Sequence, residues 1–146
     1  MTTALYATFT VHDRFLGVPV DRVQEVLRAQ PLTPVPLAHE HIGGLLNLRG
    51  QIVTALDLRA RLGLPARDPA APSANVVVTT EDGPLSLVVD ALGDVLTMDA
   101  DAFEPPPDTV AAETRHLIKG TFKLDDALLL DLDLDATVAL TDRGNG

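Results

Sequence analysis

GLLNLRGQIVTALDL, residues 44–58, is matched 76 positions later by GTFKLDDALLLDLDL, residues 120–134. Gly44, Leu48, Ile52, Val53, Leu56, Asp57 and Leu58 meet Gly120, Leu124, Leu128, Leu129, Leu132, Asp133 and Leu134. In each copy two apolar runs flank a polar turn, at Asn47–Gly50 and at Asp125-Asp126, which is the pattern of a β-hairpin. A second pair of stretches repeats at a different offset. VPVDRVQEVL (18–27) and VVDALGDVL (88–96) align Val20-Asp21, Val23 and Glu25-Val26-Leu27 with Val89-Asp90, Leu92 and Asp94-Val95-Leu96, 69 positions apart. Order and spacing survive in both pairs, with about seven residues inserted in the second copy, so the chain is a duplication.

Each copy predicts the same elements. A hairpin opens it: Leu5–Val11 and Phe15–Val20 turning at His12-Asp13-Arg14, then Val76–Thr80 and Leu85–Val89 turning at Glu81–Pro84. A short helical or bent segment follows, Asp21–Val26 and Asp90–Val95, with Asp as a good N-cap. Proline-bearing crossings come next, at Pro31, Pro34 and Pro36 and at Pro105–Pro107, because proline cannot donate to a sheet ladder. The closing hairpin completes the copy. Asp57 caps a short helix, Asp57–Leu62, in which Leu58 and Leu62 share a face and Gly63 ends the helix. These signals predict an all-β chain of two packed five-stranded barrels with a few short helices. The expected boundaries are 4–64 for the first barrel, 65–75 for a Pro/Ala linker, 76–138 for the second barrel and 139–146 for a polar, flexible tail. A barrel of about 60 residues is marginal alone, and two can share one core.

Composition agrees. The chain has 146 residues, 46 % of them hydrophobic but only 3 % aromatic, so its core must be aliphatic. It has no cysteine, which excludes a disulfide framework and a thiolate metal site and suits a cytoplasmic location. No apolar run is long enough to span a bilayer, and the N-terminus lacks the pattern of a signal peptide. Residues 1–70 carry seven arginines against six carboxylates, whereas residues 71–146 carry four basic residues against fifteen acidic ones. Nucleic acid is a poor partner for such a surface, which lacks the basic footprint that phosphates require.

Few residues suggest chemistry. His39 and His41 flank Glu40 and form the one close histidine pair. DLDLDATVALTD (131–142) places Asp131, Asp133, Asp135 and Asp142 at calcium-loop positions, but Ala136 stands where the loop needs glycine. A small metal-dependent hydrolase built from these histidines and the acidic tail is the enzymatic alternative. Nucleophile-elbow, phosphate-loop, dinucleotide and zinc-helix motifs are absent, and the aspartates of VVDAL and PVDRV lack the glycine turns of an aspartic protease. The sequence therefore predicts no catalysis and no cofactor.

The pattern NLRG-x-I-x₄-DLR, read as NLRGQIVTALDLR from Asn47, resembles the signature of CheW, the coupling-protein family of bacterial chemosensory arrays. GVPVDRVQEVL, IGGLLNLRG, LVVDALGDVL and KGTFKLDDALLLDLDL extend the resemblance over residues 5 to 138. It implies two five-stranded SH3-like barrels with a hydrophobic core between them. It also implies an adaptor that couples methyl-accepting chemotaxis receptors to a CheA-type histidine kinase, for flagellar chemotaxis or for a pilus-motility or other non-flagellar pathway. The expected partners are the kinase and the receptor's cytoplasmic tip, with no direct membrane insertion. Thr54-Ala55 stands where the family often has proline. The kinase and receiver segments that accompany this domain elsewhere are not in the sequence, so it resembles the stand-alone adaptor.

The resemblance places the contact surface at Val23, Glu25, Gly44, Asn47, Arg49 and Gly50. Arg49 sits on a turn that two apolar strands hold, and its planar fork suits bidentate bonding to a partner. Gly50 suits a turn position with positive φ. Alternation, or a short helix, through DRVQEV puts Val26 and Leu27 inside and Glu25 outside, with Val23 available to a docking helix.

Overall fold

A computed structural model describes residues 2–36, 39–108, 110 and 112–139. Eleven strands carry the fold among them: β1 (Thr3–Val11), β2 (Arg14–Pro19), β3 (Val23–Arg28), β4 (Ile42–Leu48), β5 (Gln51–Asp57), β6 (Ala74–Thr80), β7 (Gly83–Val89), β8 (Ala91–Asp99), β9 (Phe103–Glu104), β10 (Ile118–Lys123) and β11 (Leu128–Leu132). Three short helices, α1 (Leu58–Arg61), α2 (Ala112–Arg115) and α3 (Leu134–Val138), complete it. The expected flexible tail falls outside the described residues beyond Ala139.

The strands form two sheets, and the sheets do not follow the halves of the sequence. One has the order β8-β1-β2-β11-β10-β9 and the other β3-β6-β7-β5-β4. The opening hairpin β1–β2 thus sits among second-half strands, and β6–β7 sits among first-half strands. The boundaries 4–64 and 76–138 therefore do not enclose separate barrels. Each copy donates its first hairpin to the other copy's sheet. Two parallel pairings make the exchange: β2 with β11, Leu16 opposite Leu130, and β7 with β5, Thr54 to Asp57 opposite Leu85 to Val88. The expected linker is also shortened, since β6 begins at Ala74.

The duplication is legible in irregularities as well as in strands. The β4–β5 ladder slips between Ile42 and Gly44, and the β10–β11 ladder between Ile118 and Gly120. Asp57 N–H donates to the His41 carbonyl (2.8 Å), and Asp133 N–H donates to the Leu117 carbonyl (2.7 Å). Asp57 then caps α1, accepting from the N–H groups of Arg59 and Ala60, and Asp133 caps α3 through the Ala136 N–H. The two glycines share one cause. A Cβ on Gly44 would lie 2.8 Å from the Thr33 carbonyl, and one on Gly120 would lie 2.6 Å from the Glu104 carbonyl. Thr33 bridges to Leu45 beside β4 much as β9 pairs with β10, so each glycine makes room for a crossing segment.

The segments expected to be helical or bent, Asp21–Val26 and Asp90–Val95, are mainly extended. A single 3-10 turn at Val20–Arg22 precedes β3, and only a bend at Asp90 precedes β8. An aspartate followed by valines and leucines satisfies the N-cap pattern, but β-branched residues beside a free sheet edge pair instead with β6 and β1.

The largest core cluster lies between the sheets. Phe9, Val11, Leu16 and Val18 of the first hairpin meet Val76, Val78, Leu87 and Val89 of the second, together with Leu56, Leu58, Leu130, Leu132 and Leu134. A smaller cluster, including Leu46, Leu48, Val53, Val77 and Val88, fills the five-stranded barrel, and Tyr6, Met98, Phe122 and Leu129 form one on the other sheet. Strand alternation explains the division. Val77 and Val88 face one cluster while Val76, Val78, Leu87 and Val89 face the other. Strands buried on both faces need near-continuous apolar runs, which is why VVV and LVV occur in β6 and β7. Residues 1–70 expressed alone lack the strands that β1–β2 pairs with and expose the shared core. The expected result is a chain without a cooperative melt, and a folded monomeric half by circular dichroism and sedimentation would contradict it.

Candidate functional site

The Asn47–Gly50 turn is a two-residue β-hairpin loop between the paired residues Leu48 and Gln51. Both central residues have positive φ, Arg49 at 52° and Gly50 at 87°, as a type I′ turn requires. Glycine accepts this freely. Arginine seldom does, so Arg49 is held there by its surroundings. Asn47 supplies one restraint, its Oδ1 accepting the Gly50 N–H at 2.9 Å. A Cβ at Gly50 would meet nothing within 4 Å, so only the backbone conformation calls for glycine there.

The Arg49 side chain does not simply project into solvent. Its Nη1 and Nη2 donate to the two carboxylate oxygens of Glu25, a bidentate ion pair. Glu25 lies on β3 and Arg49 on the β4–β5 turn, so the pair joins opposite ends of the five-stranded sheet. The bonds and the charge of Glu25 hold the guanidinium pKa above its ordinary value. Arg49 remains 70 % exposed, whereas Glu25 is only 20 % exposed.

Exposure on β3 agrees with the sequence expectation at Leu27 and departs from it at Val23, Glu25 and Val26. Val23, Glu25 and Leu27 are half-buried, and Gln24, Val26 and Arg28 are exposed. Val23 packs against the central core, and Val26 is 49 % exposed. A strand alternates with a period of two, so the adjacent pair Val26-Leu27 cannot both be inside. Ile52, opposite Asn47 across the hairpin, is 61 % exposed. Val26, on the outer face of β3, and Ile52, two residues past the turn, are thus exposed apolar residues that sequence reasoning missed. A valine or isoleucine in an apolar run carries no signal of the face it takes. Of the six expected residues, Glu25, Asn47, Arg49 and Gly50 come together at the turn, while Val23 supports the core and Gly44 lies beneath Thr33.

The other arginines of this region serve the fold. Arg59 on α1 holds Asp90 with two good bonds, Nε to Oδ1 at 3.0 Å and Nη2 to Oδ2 at 2.6 Å, and its Nη1 reaches the Pro65 carbonyl at 2.8 Å. The His12 N–H also donates to Asp90, at 2.7 Å. One carboxylate thus fastens the β1–β2 turn, α1 and the bend before β8. Burial acts to raise the Asp90 pKa, but the bonds from Arg59 and His12 and the charges of Arg59 and Arg67 outweigh it and lower the pKa. Arg61 donates to the carbonyls of Thr137 and Ala136, at 2.9 and 3.0 Å, closing the end of α3.

The candidate metal ligands do not converge, although His41 Nδ1 is buried without a hydrogen-bond partner among the described residues. His39 Nδ1 accepts the His41 N–H at 3.2 Å, and the two rings lie 4.6 Å apart. Burial, then the neighbouring His39 and Arg61, lowers the His41 pKa despite Glu40 and Asp57. Asp131 accepts from Tyr6, Asp133 caps α3 and Asp135 meets Arg22 at 3.3 Å, so the three carboxylates do not converge. Asp142 lies outside the described residues. Among the described residues no three histidines or carboxylates come together as a metal site.

A sequence profile described as the CheW-like domain matches residues 5–141. The chain belongs to the CheW-like domain family. It is 29 % identical over 135 residues to the chemotaxis protein CheW of Rhizobium meliloti (strain 1021), covering 92 % of this chain and 87 % of that protein. Against the chemotaxis protein CheW of Bacillus subtilis (strain 168) the identity is 28 % over 130 residues, covering 89 % and 83 %. The crystal structure of the scaffolding protein TtCheW from Thermoanaerobacter tengcongensis superimposes with a TM-score of 0.80 at 28 % identity, covering 90 % of this chain and 89 % of that one. This CheW-like domain therefore has the duplicated SH3-like barrel fold that its sequence implied. Among its described residues no helix is long and apolar enough to cross a membrane.

The two arginine sites separate in stability measurements. Arg59→Ala strands the half-buried Asp90 carboxylate, and a loss of about 1–3 kcal/mol in denaturant melts is expected. Arg49 is itself 70 % exposed where Arg59 is 15 % exposed, so Arg49→Ala should cost less than Arg59→Ala in the same melts. The lowered Asp90 pKa also sets a sign. Its stabilisation is fully present above the ordinary carboxylate range and is lost as pH falls through the lowered value. Asp90→Asn should therefore cost stability at neutral pH and progressively less in acid. A constant difference across the titration would remove Asp90 from the acid response.

Proposed function

We propose that this CheW-like domain is a non-enzymatic adaptor that couples methyl-accepting chemotaxis receptors to a CheA-type histidine kinase in the cytoplasm. The observation that carries this reading is the Arg49–Glu25 pair. A type I′ turn displays an ion-paired guanidinium at the surface, and Val26 and Ile52 are exposed on the outer faces of strands β3 and β5 that flank the pair in sequence. Preorganised charge together with exposed apolar side chains suits contact with a helical partner such as a receptor tip. The chemotaxis relatives and the scaffolding protein that share the fold support the same role.

The mechanism is linkage between two contacts. An adaptor with one face on the receptor and another on the kinase shifts the kinase population when its receptor contact changes. Arg49 belongs to the receptor or kinase contact, and its bond to Glu25 holds the guanidinium in place while leaving it exposed. The shared core makes the two barrels one rigid unit through which the contacts communicate.

Titration of the purified chain against a receptor cytoplasmic fragment and against a CheA-type kinase tests this. Both should bind the wild type. Arg49→Ala should weaken at least one by about tenfold, and Arg49→Lys should not fully restore it, since a point charge cannot replace the fork. Unchanged affinity of Arg49→Ala for both partners would remove the turn from the interface.

A further inference from the structure

The other barrel contains a polar arrangement that its duplicate lacks. Tyr6 on β1 and Asp131 on β11 lie on either side of β2, where Gly17 pairs with Asp131. The Tyr6 hydroxyl donates to Asp131 Oδ2 at 2.9 Å. A side chain at Gly17 would crowd this crossing, since its Cβ would lie 3.4 Å from the Tyr6 ring and 3.2 Å from Leu129. Asp131 is only 5 % exposed, and its second oxygen, Oδ1, is buried and accepts no hydrogen bond from any described residue. Burial raises its pKa, with Asp133 adding to the rise and the Tyr6 bond and the Lys119 charge opposing it. An unpaired buried acceptor is costly to a fold and needs a reason.

The duplicate shows that the fold does not demand it. Asn75, Ser86 and Ala55 hold the corresponding positions at the two repeat offsets. Ser86 Oγ donates to Asn75 Oδ1 at 2.9 Å, Asn75 Nδ2 donates to the Arg28 carbonyl at 3.2 Å, and Ala55 is fully buried. That barrel closes its polar pair and has alanine where Asp131 stands. Around Asp131, in contrast, lies a recess of about 320 Å³ walled by Tyr6, Phe103, Phe122 and Lys119. Phe122 is the centre of the aromatic wall, 5.3 Å from the Tyr6 ring and 5.2 Å from that of Phe103. The volume is at the lower end of the roughly 300–1,000 Å³ of small-molecule pockets.

We propose that this recess is a binding site for a small primary amine with an apolar body, its ammonium on the Asp131 carboxylate and its body on the Tyr6, Phe103 and Phe122 rings. A carboxylate selects a cation, and aromatic faces favour both the cation and the hydrocarbon next to it. Lys119 is an exposed residue of the wall, and its like charge opposes the ligand. The site is on the sheet that does not contain the Arg49 turn, so it stands or falls apart from the adaptor role.

The test is a calorimetric and NMR titration of the full chain with 2-phenylethylamine, with 2-phenylethanol as the neutral counterpart. Saturable binding of the amine is expected, with shifts centred on Tyr6, Phe103 and Phe122, and binding of the alcohol at least about tenfold weaker. Asp131→Asn, which keeps an acceptor for Tyr6, should weaken the amine by about tenfold or more, and Lys119→Met should tighten it. If Asp131→Asn does not fold, Phe103→Leu at a partly exposed ring replaces it and should also weaken the amine. No saturation at millimolar amine, equal affinity for the alcohol, or wild-type affinity in the folded Asp131→Asn or Phe103→Leu variant would overturn the site.

Discussion

Two parallel strand pairings, β2 with β11 and β7 with β5, are the constraint on which the rest of the molecule depends. Each places a hairpin from one copy into the sheet of the other. The hairpins then bury their second faces against each other, and the aliphatic cluster between the sheets exists only because both are displaced in this way. A chain with so few aromatic rings gains its core by making the same strands useful on both faces. The cost is entropic, because β1 must find β8 across most of the chain, as in the pairing of Thr3 with Asp99. Such long-range closure slows folding and makes the halves interdependent.

The three arginines of NLRGQIVTALDLRAR show how one side chain takes different roles within thirteen residues. Arg59 and Arg61 lie on a capped helix that points into the junction of the two copies, so they meet Asp90 and the carbonyls at the end of α3. Arg49 lies on a turn at the far end of the same hairpin, where it is mostly exposed and pairs with Glu25. The first two arginines fasten the fold at its seam. The third is fixed in direction but remains available to another molecule. The strain of a non-glycine residue at positive φ is tolerated there because the hairpin twist needs that turn.

Duplication also allows divergence. The two barrels keep the same bulges, the same crossing glycines and the same aspartate caps, because each answers a backbone requirement that recurs. Their interiors are freer. One closes with an amide and a hydroxyl, and the other holds a tyrosine, a carboxylate and an open recess. An interior position facing a cavity is bound only by the need to satisfy its polar atoms, and it can change without altering the strands around it.

Much of this was legible in residues alone. The repeat, the hairpins, the Asp57 cap and the Asn47–Gly50 turn follow from local rules of alternation, capping and turn chemistry, which act over a few residues. The family resemblance followed from the same stretch. Other features depended on distant parts of the chain. That Asp21–Val26 is mostly strand rather than helix was decided by the free edge of β6, and that Val26 faces out while Glu25 turns toward Arg49 was decided by the phase of that pairing. The exchange of hairpins left no local mark, since a strand carries the same alternation whichever sheet receives it. Strand chemistry is local and could be read in order, whereas the choice of neighbour is made by burying both faces at once, which only the assembled chain can do.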